Sequence, residues 1–79
     1  MRARDAYRLI VTRGGWAPAL LADPGRVDHL EIVETDSGEA VFLWDRPPHA
    51  ASKLARALRA DLSSLDAEEF RVRWSTVES

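Results

Sequence analysis

Hydrophobic and polar positions alternate along several short segments of the chain, a pattern typical of β-strands. The first segment is residues 6–13, which are rich in β-branched and aromatic types. Alternate side chains from Tyr7 to Val11 share one face of this predicted strand. A second segment, residues 16–22, contains Pro18, and proline donates no ladder hydrogen bond. We therefore expect any strand there to lie at a sheet edge.

A β-hairpin is the clearest element that the pattern predicts. Residues 27–35 and 39–45 are two strand-like runs separated by a short loop that ends in Gly38. The second run carries apolar side chains on both faces, with Val41 and Leu43 opposite an aromatic pair. We therefore expect this run to be the central strand of the sheet or to lie at an interface.

Residues 48–63 predict an amphipathic helix. Apolar residues recur there at intervals of three and four, which places them along one stripe of an α-helix. The stripe consists of Ala51, Leu54, Ala55, Leu58, Leu62 and Leu65. A helix with one such stripe packs on the face of a sheet.

The segment that begins at Asp66 fits two different structures. Apolar and polar side chains alternate from Phe70 to Ser75, which is typical of a strand. Asp66 and Glu69, however, have the spacing of a capping box, and Leu65 with Phe70 has that of a hydrophobic staple. Two helix-start signals favour a short helix.

These elements predict one α+β domain that spans residues 1–79. We expect a three- or four-stranded antiparallel sheet, one amphipathic helix packed on one face and a short C-terminal helix. The chain has 79 residues and 46% hydrophobic content, which suits a single small core. It has no cysteine, which excludes disulfides and thiolate-bound zinc. Without a long apolar run or a signal-like N-terminus, we expect a cytoplasmic protein with no membrane segment.

Charge is distributed unevenly along the chain. Residues 1–26 carry five basic and two acidic side chains (+3), and residues 27–45 carry six acidic and none basic (−6). Residues 46–79 carry six basic and five acidic side chains (+1), which completes the net charge of −2. The acidic hairpin is either paired with the basic first strand or a face for a basic partner. We favour the pairing across strands.

No residue pattern indicates a catalytic centre. His29 and His49 lie in different predicted elements and lack the spacing of a metal-binding pair. Gly14-Gly15 lacks the Lys-Ser/Thr of a phosphate-binding P-loop. We therefore expect no metal, no cofactor and no enzymatic activity. An enzyme with a histidine site at a dimer interface is the least favoured hypothesis.

We predict a non-catalytic interaction or regulatory module that forms a homodimer and binds a further protein. Apolar side chains on both strand faces imply a core that a partner completes. The expected interface residues are Trp16, Val41 and Leu43. Trp16 is equally compatible with a position in the core.

The alternative function is nucleic-acid binding. The candidates are basic residues of the first strand and of one helix flank, namely Arg8, Arg13, Lys53, Arg56 and Arg59. Arg56 and Arg59 are three residues apart and therefore neighbours on a helix. The sequence pI near 5.6 argues against this alternative, because nucleic-acid-binding domains are typically basic.

Overall fold

Three strands and three helices make up the described part of the chain. The computed structural model describes residues 1–13 and 27–76. The helices are α1 (Ala3–Ala6), α2 (Pro48–Ser64) and α3 (Ala67–Ser75), and the strands are β1 (Tyr7–Thr12), β2 (Asp28–Glu34) and β3 (Ala40–Arg46). The predicted α+β class, the long helix and the short C-terminal helix are confirmed. Residues 16–22, the predicted edge strand, lie outside the described residues.

β2 is the central strand of the antiparallel sheet, with β1 on one side and β3 on the other. Tyr7 pairs with Glu34 at one end of β1, and Thr12 pairs with His29 at the other end. Of the two alternatives for residues 39–45, the central strand is therefore wrong for the described sheet, and the position at an interface stays a prediction. The first strand pairs with the first arm of the hairpin, which leaves the second arm at the edge.

A bulge interrupts the pairing between β2 and β3. Ile32 pairs with Phe42, whereas the next residue of β2 pairs with Ala40, so Val41 is the extra residue. Val41 is half-buried and packs against the core, while Leu43 remains exposed. The bulge thus divides two residues that strict alternation assigns to one face.

The predicted β-hairpin is confirmed, and its loop has a clear physical basis. The N–H of Gly38 donates to the carbonyl of Glu34 at 2.8 Å, and the N–H of Glu34 donates to the carbonyl of Glu39 at 2.9 Å. Gly38 has φ of 75°. Glycine reaches this left-handed region without the penalty that a Cβ imposes, so the sequence determines where the chain reverses.

The core lies between the helices and the inner face of the sheet, which is the face that packs on α2. The buried residues of α2 are Ala51, Ala55, Leu58 and Leu62, all from the predicted stripe. Leu30 and Ile32 of the central strand are fully buried in the same cluster. Each such aliphatic side chain contributes about 1.5–3 kcal/mol on burial. None of the described helices is long and apolar enough to cross a bilayer.

α3 confirms the helical interpretation of the tail. The Asp66 carboxylate accepts from the N–H of Glu69 at 3.0 Å, and the Glu69 carboxylate accepts from the N–H of Asp66 at 3.5 Å. This capping box positions Phe70 and Trp74, which are buried in the core. Trp74 meets Trp44 edge to face with ring centroids 5.7 Å apart. Both tryptophans are buried in the core.

The first residues of the chain close one end of the core. The N–H of Ala3 donates to the carbonyl of Leu65 at 3.0 Å, and Arg2 forms an isolated bridge with Asp66. Ala3, in α1, is fully buried. Because α1 has four residues, it is too short to show a helical period in the sequence.

Opposite charges lie on neighbouring strands but do not pair between β1 and β2. Arg8, the basic residue of β1, has Val33 as its cross-strand partner and forms no ion pair within the described chain. Across β2 and β3, the imidazole of His29 contacts the carboxylate of Asp45. The expected pairing of the basic first strand with the acidic hairpin is therefore not found among the described residues, because the register sets Arg8 against an apolar residue.

Candidate functional site

The outer face of the sheet is directed away from α2, and three rows of cross-strand partners form it. The rows, from one end of the sheet to the other, are Arg8–Val33–Ala40, Ile10–Glu31–Leu43 and Thr12–His29–Asp45. Side chains alternate between the two faces of a strand, so the cross-strand rows that lie between these three outer rows face the core. The helical residues of the core cluster pack on the inner face.

Exposed hydrophobic side chains concentrate on the outer face. The large hydrophobic residues that are exposed in the described chain are Met1, Ile10, Val27, Leu43 and Val72. Ile10 and Leu43 belong to the central row of this face, and Val27 directly precedes β2. Leu43 exposes 56% of its surface. One exposed leucine is ordinary. Ile10 and Leu43 lie on either side of Glu31, and several exposed apolar side chains on one face are a feature of interaction surfaces.

Charged side chains lie at the ends of the outer face and in its middle, where Glu31 stands between Ile10 and Leu43. Arg8 stands in the first row on β1, and Asp45 stands in the last row on β3, diagonally opposite. His29 hydrogen-bonds to Asp45 through Nδ1, and both side chains are exposed.

The predicted interface residues occupy three different environments. Leu43 is exposed on the outer face, whereas Val41 packs against the core at the bulge. Trp16 lies outside the described residues. Ile10 and Val27 are missing from the predicted interface, although strand alternation places Ile10 on the face opposite the buried Tyr7.

A cleft of about 280 Å³ lies on the other side of the sheet, where α2 crosses the adjoining ends of β1 and β2. We call it the arginine cleft. Its charged and polar lining residues are Arg13, Asp28, Ser52, Arg56 and Arg59, and its apolar ones are Val11, Ala51 and Ala55. The α2 residues share one side of the helix because they recur at intervals of three and four. Antiparallel pairing brings the end of β1 beside the start of β2.

The arginine cleft carries excess positive charge. Arg13, Arg56 and Arg59 are exposed, and none forms an ion pair among the described residues. Asp28, at the wall, is buried and is engaged in an interaction of its own. Three guanidinium groups and one carboxylate leave a local charge of +2. Asp28 is not among the predicted site residues. Strand alternation could have placed it on the inner face, because it lies two residues before the buried Leu30.

The five residues proposed for nucleic-acid binding do not form one surface. Arg13, Arg56 and Arg59 line the cleft, but Lys53 is exposed on α2 outside its lining. Arg8 lies on the outer face of the sheet. The structure therefore brings three of the five together and separates the other two from them.

The two histidines are not brought together. His29 is on the outer face in contact with Asp45, whereas His49 is exposed in the first turn of α2. Within residues 1–13 and 27–76, no group of three or more His, Asp or Glu side chains could hold a metal ion. The outer face and the arginine cleft are two features of the described chain that group apolar or charged side chains.

No family model, no curated protein and no solved structure matches the chain.

Proposed function

We propose that the chain is a non-catalytic interaction module that forms a homodimer through the outer face of its sheet. The observation that carries this proposal is the concentration of exposed apolar side chains there, from Ile10, Val27 and Leu43. Burial of apolar surface is the main favourable term in most protein association. A second sheet packed on this face removes these side chains from water.

The two corner charges of the outer face suit a second copy of the same chain. Arg8 and Asp45 stand at diagonally opposite corners. A second diagonal of the outer face joins its other two corners. A twofold axis along this second diagonal, in the plane of the interface, places Arg8 of each copy opposite Asp45 of the other copy. Twofold interfaces are self-complementary in this way, and such rim charges fix orientation more than affinity. The two sheets then pack with their strands nearly perpendicular, a known arrangement.

The size of the outer face sets the expected strength of the dimer. Three strands spaced about 4.8 Å apart and some six residues long cover roughly 14 Å by 20 Å, or about 300 Å². A standard stable interface buries about 800 Å² on each partner. The sheet face alone therefore supports a weak, reversible dimer that forms at micromolar concentrations.

We further propose a regulatory role in the cytoplasm, with another protein as the second partner. A weak dimer exchanges quickly, so the outer face becomes free for a competing protein. The chain has no cysteine and so needs no oxidising compartment to fold.

Sedimentation equilibrium from low to high micromolar concentration tests the dimer. We expect Leu43→Glu to weaken association at least tenfold, because it removes an apolar contact and places a second carboxylate beside Glu31 in the interface. Val72→Glu is the matched control, since Val72 is an equally exposed apolar residue on α3. A wild-type chain that stays monomeric at high micromolar concentration, or equal effects of the two variants, would contradict the proposal.

A charge exchange tests the orientation of the two copies. Arg8→Asp and Asp45→Arg should each weaken the dimer, and the double variant should regain association because opposite charges face each other again. Circular dichroism of each variant verifies the fold. If the double variant associates no better than the single variants, the diagonal arrangement is wrong. That conclusion holds even if Leu43→Glu dissociates the dimer, because Leu43→Glu tests the interface and not the orientation.

A further inference from the structure

We infer that the arginine cleft binds a small phosphorylated ligand, with its phosphate held by Arg13, Arg56 and Arg59. The cleft opens on the side of the sheet that carries α2, away from the outer face. This site is therefore separate from the proposed dimer interface, and either one can exist without the other.

The three arginines converge although they come from distant parts of the sequence. Arg56 and Arg59 lie on α2, whereas Arg13 follows β1. Guanidinium groups present planar pairs of donors that match phosphate oxygens, often in a bidentate manner. Like charges around one cleft repel, and the ion pairs of the described chain, His29–Asp45 and Arg73–Asp61, include none of these arginines. An anion bound between them removes that repulsion.

The charge of the arginine cleft matches a phosphate monoester. Three guanidinium groups and the buried Asp28 give a local charge of +2. A phosphate monoester carries about −1.5 to −2 near neutral pH. A ligand of this class neutralises the cleft, whereas a monocarboxylate leaves about half of the excess charge.

The volume of the cleft restricts the size of the ligand. About 280 Å³ corresponds to roughly nine water molecules at their share of liquid volume. A phosphate group with a short organic part fits this space, whereas the rest of a larger ligand such as a nucleoside triphosphate extends beyond the cleft lining. Val11, Ala51 and Ala55 offer apolar contacts to carbon atoms, and the Ser52 hydroxyl can exchange a hydrogen bond with a ligand hydroxyl.

The surroundings of the cleft favour a small ligand over a nucleic-acid strand. Proteins that bind single strands combine a long basic groove with aromatic platforms for the bases. In the described chain the rings of Tyr7, Trp44, Phe70 and Trp74 are buried. Lys53 and Arg8 do not extend the cleft into a groove.

An NMR titration of the full chain tests this site. The ¹⁵N-labelled protein is titrated at constant ionic strength with inorganic phosphate, glycerol 3-phosphate and malonate. We expect amide shifts concentrated at Val11, Ala51 and Ala55. The phosphate monoester should bind several-fold more tightly than inorganic phosphate, because its carbon atoms add contacts, and more tightly than the dicarboxylate.

Substitutions on α2 separate a specific site from general charge attraction. Arg56→Gln and Arg59→Gln should each weaken binding at least tenfold, because each removes two or more charge-assisted hydrogen bonds. Lys53→Gln removes the same charge from the same helix outside the cleft and should change affinity less than twofold. Thermal unfolding of each variant verifies that these exposed substitutions leave the fold intact.

Three results would overturn the inference. The first is shifts spread over the whole surface, and the second is an equal loss of binding in Lys53→Gln. The third is a single-stranded oligonucleotide that binds more tightly than the monoester, with shifts reaching Lys53 and Arg8. Leu43→Glu should bind the monoester as the wild type does, so a failed dimer and a failed ligand site give different results.

Discussion

The indole N–H of Trp74 donates a hydrogen bond to Oδ2 of Asp61 at 3.0 Å, which ties α3 to the end of α2. Nε of Arg73 lies 3.2 Å from the same oxygen. The Asp61 side chain exposes 15% of its surface, whereas that of Arg73 exposes 65%. The hydrogen bond from Trp74 is therefore the stronger of the two contacts to Asp61, because water and salt screen the exposed guanidinium of Arg73.

Trp44 provides a contrast to Trp74 and a first prediction. The Trp44 Nε1 is buried and has no hydrogen-bond partner among the described residues. Phenylalanine at either position removes the same atoms, but only Trp74→Phe breaks a hydrogen bond. We expect Trp74→Phe to lower the free energy of unfolding by about 1–2 kcal/mol more than Trp44→Phe. Urea unfolding measures the difference, and equal losses would show that the hydrogen bond contributes nothing.

A double-mutant cycle measures the link between the two helices directly. We expect Trp74→Phe and Asp61→Ala to be non-additive by about 1–2 kcal/mol, because each variant alone already breaks the shared hydrogen bond. The cycle of Arg73→Gln with Asp61→Ala should give a coupling below about 1 kcal/mol. A larger coupling energy for Arg73 than for Trp74 would show that the ion pair, and not the hydrogen bond, is the stronger contact to Asp61.

Elements with local signals could be predicted from the sequence. The capping box of Asp66 and Glu69 satisfies amide groups that the helix leaves without partners, so it marks the start of α3. Gly38 marks the hairpin loop because that position requires positive φ. In both cases the physical cause lies within a few residues of the effect.

Features that depend on pairing between strands could not be predicted in the same way. The bulge at Val41 arises from how β3 meets β2, and one extra residue reverses the face of everything beyond it. The edge position of β3 likewise follows from the choice of β2 as the partner of β1. Neither choice leaves a signal in the run of residues 39–45 itself.

The candidate sites likewise combine residues that local spacing groups with residues that only the tertiary structure brings together. Arg56 and Arg59 could be grouped from the sequence because helical spacing makes them neighbours. The contribution of Arg13 to their cleft depends on how α2 crosses the sheet, as does the position of Asp28. Leu43 could be placed on an exposed face by alternation, but its row partner Ile10 depends on the register of all three strands.

Gly38 allows a test of backbone strain without a steric clash. A Cβ built on Gly38 meets no atom within 4 Å, so a side chain has room there. Gly38→Ala should still lower the free energy of unfolding by about 1–2 kcal/mol, because φ of 75° is unfavourable for an L-residue with a Cβ. Gly38→Asn should cost less, since asparagine tolerates this region. Urea unfolding measures both losses of stability, provided that the free energy of unfolding falls with urea concentration at the same slope in every chain. Equal stability of the wild type and the two variants would contradict the prediction.

Asp66 makes the stability of α3 depend on pH. The N–H of Glu69, which hydrogen-bonds to the Asp66 carboxylate, holds the pKa of Asp66 below its ordinary value of 3.8. The folded protein therefore favours the ionised form more than the unfolded chain does. The resulting stabilisation is fully present above pH 3.8 and is lost as the pH falls through the lower pKa of the folded state.

Two substitutions at Asp66 separate the charge from the cap. Asparagine still accepts the hydrogen bond from Glu69 but does not ionise, so Asp66→Asn should melt a few degrees below the wild type at neutral pH. This difference should shrink as the pH falls below 3.8, because the wild-type carboxyl then becomes neutral too. Asp66→Ala loses the cap and should melt below Asp66→Asn at every pH. Thermal unfolding across this range gives all three curves, and a constant gap between wild type and Asp66→Asn would mean that ionisation of Asp66 does not stabilise the fold.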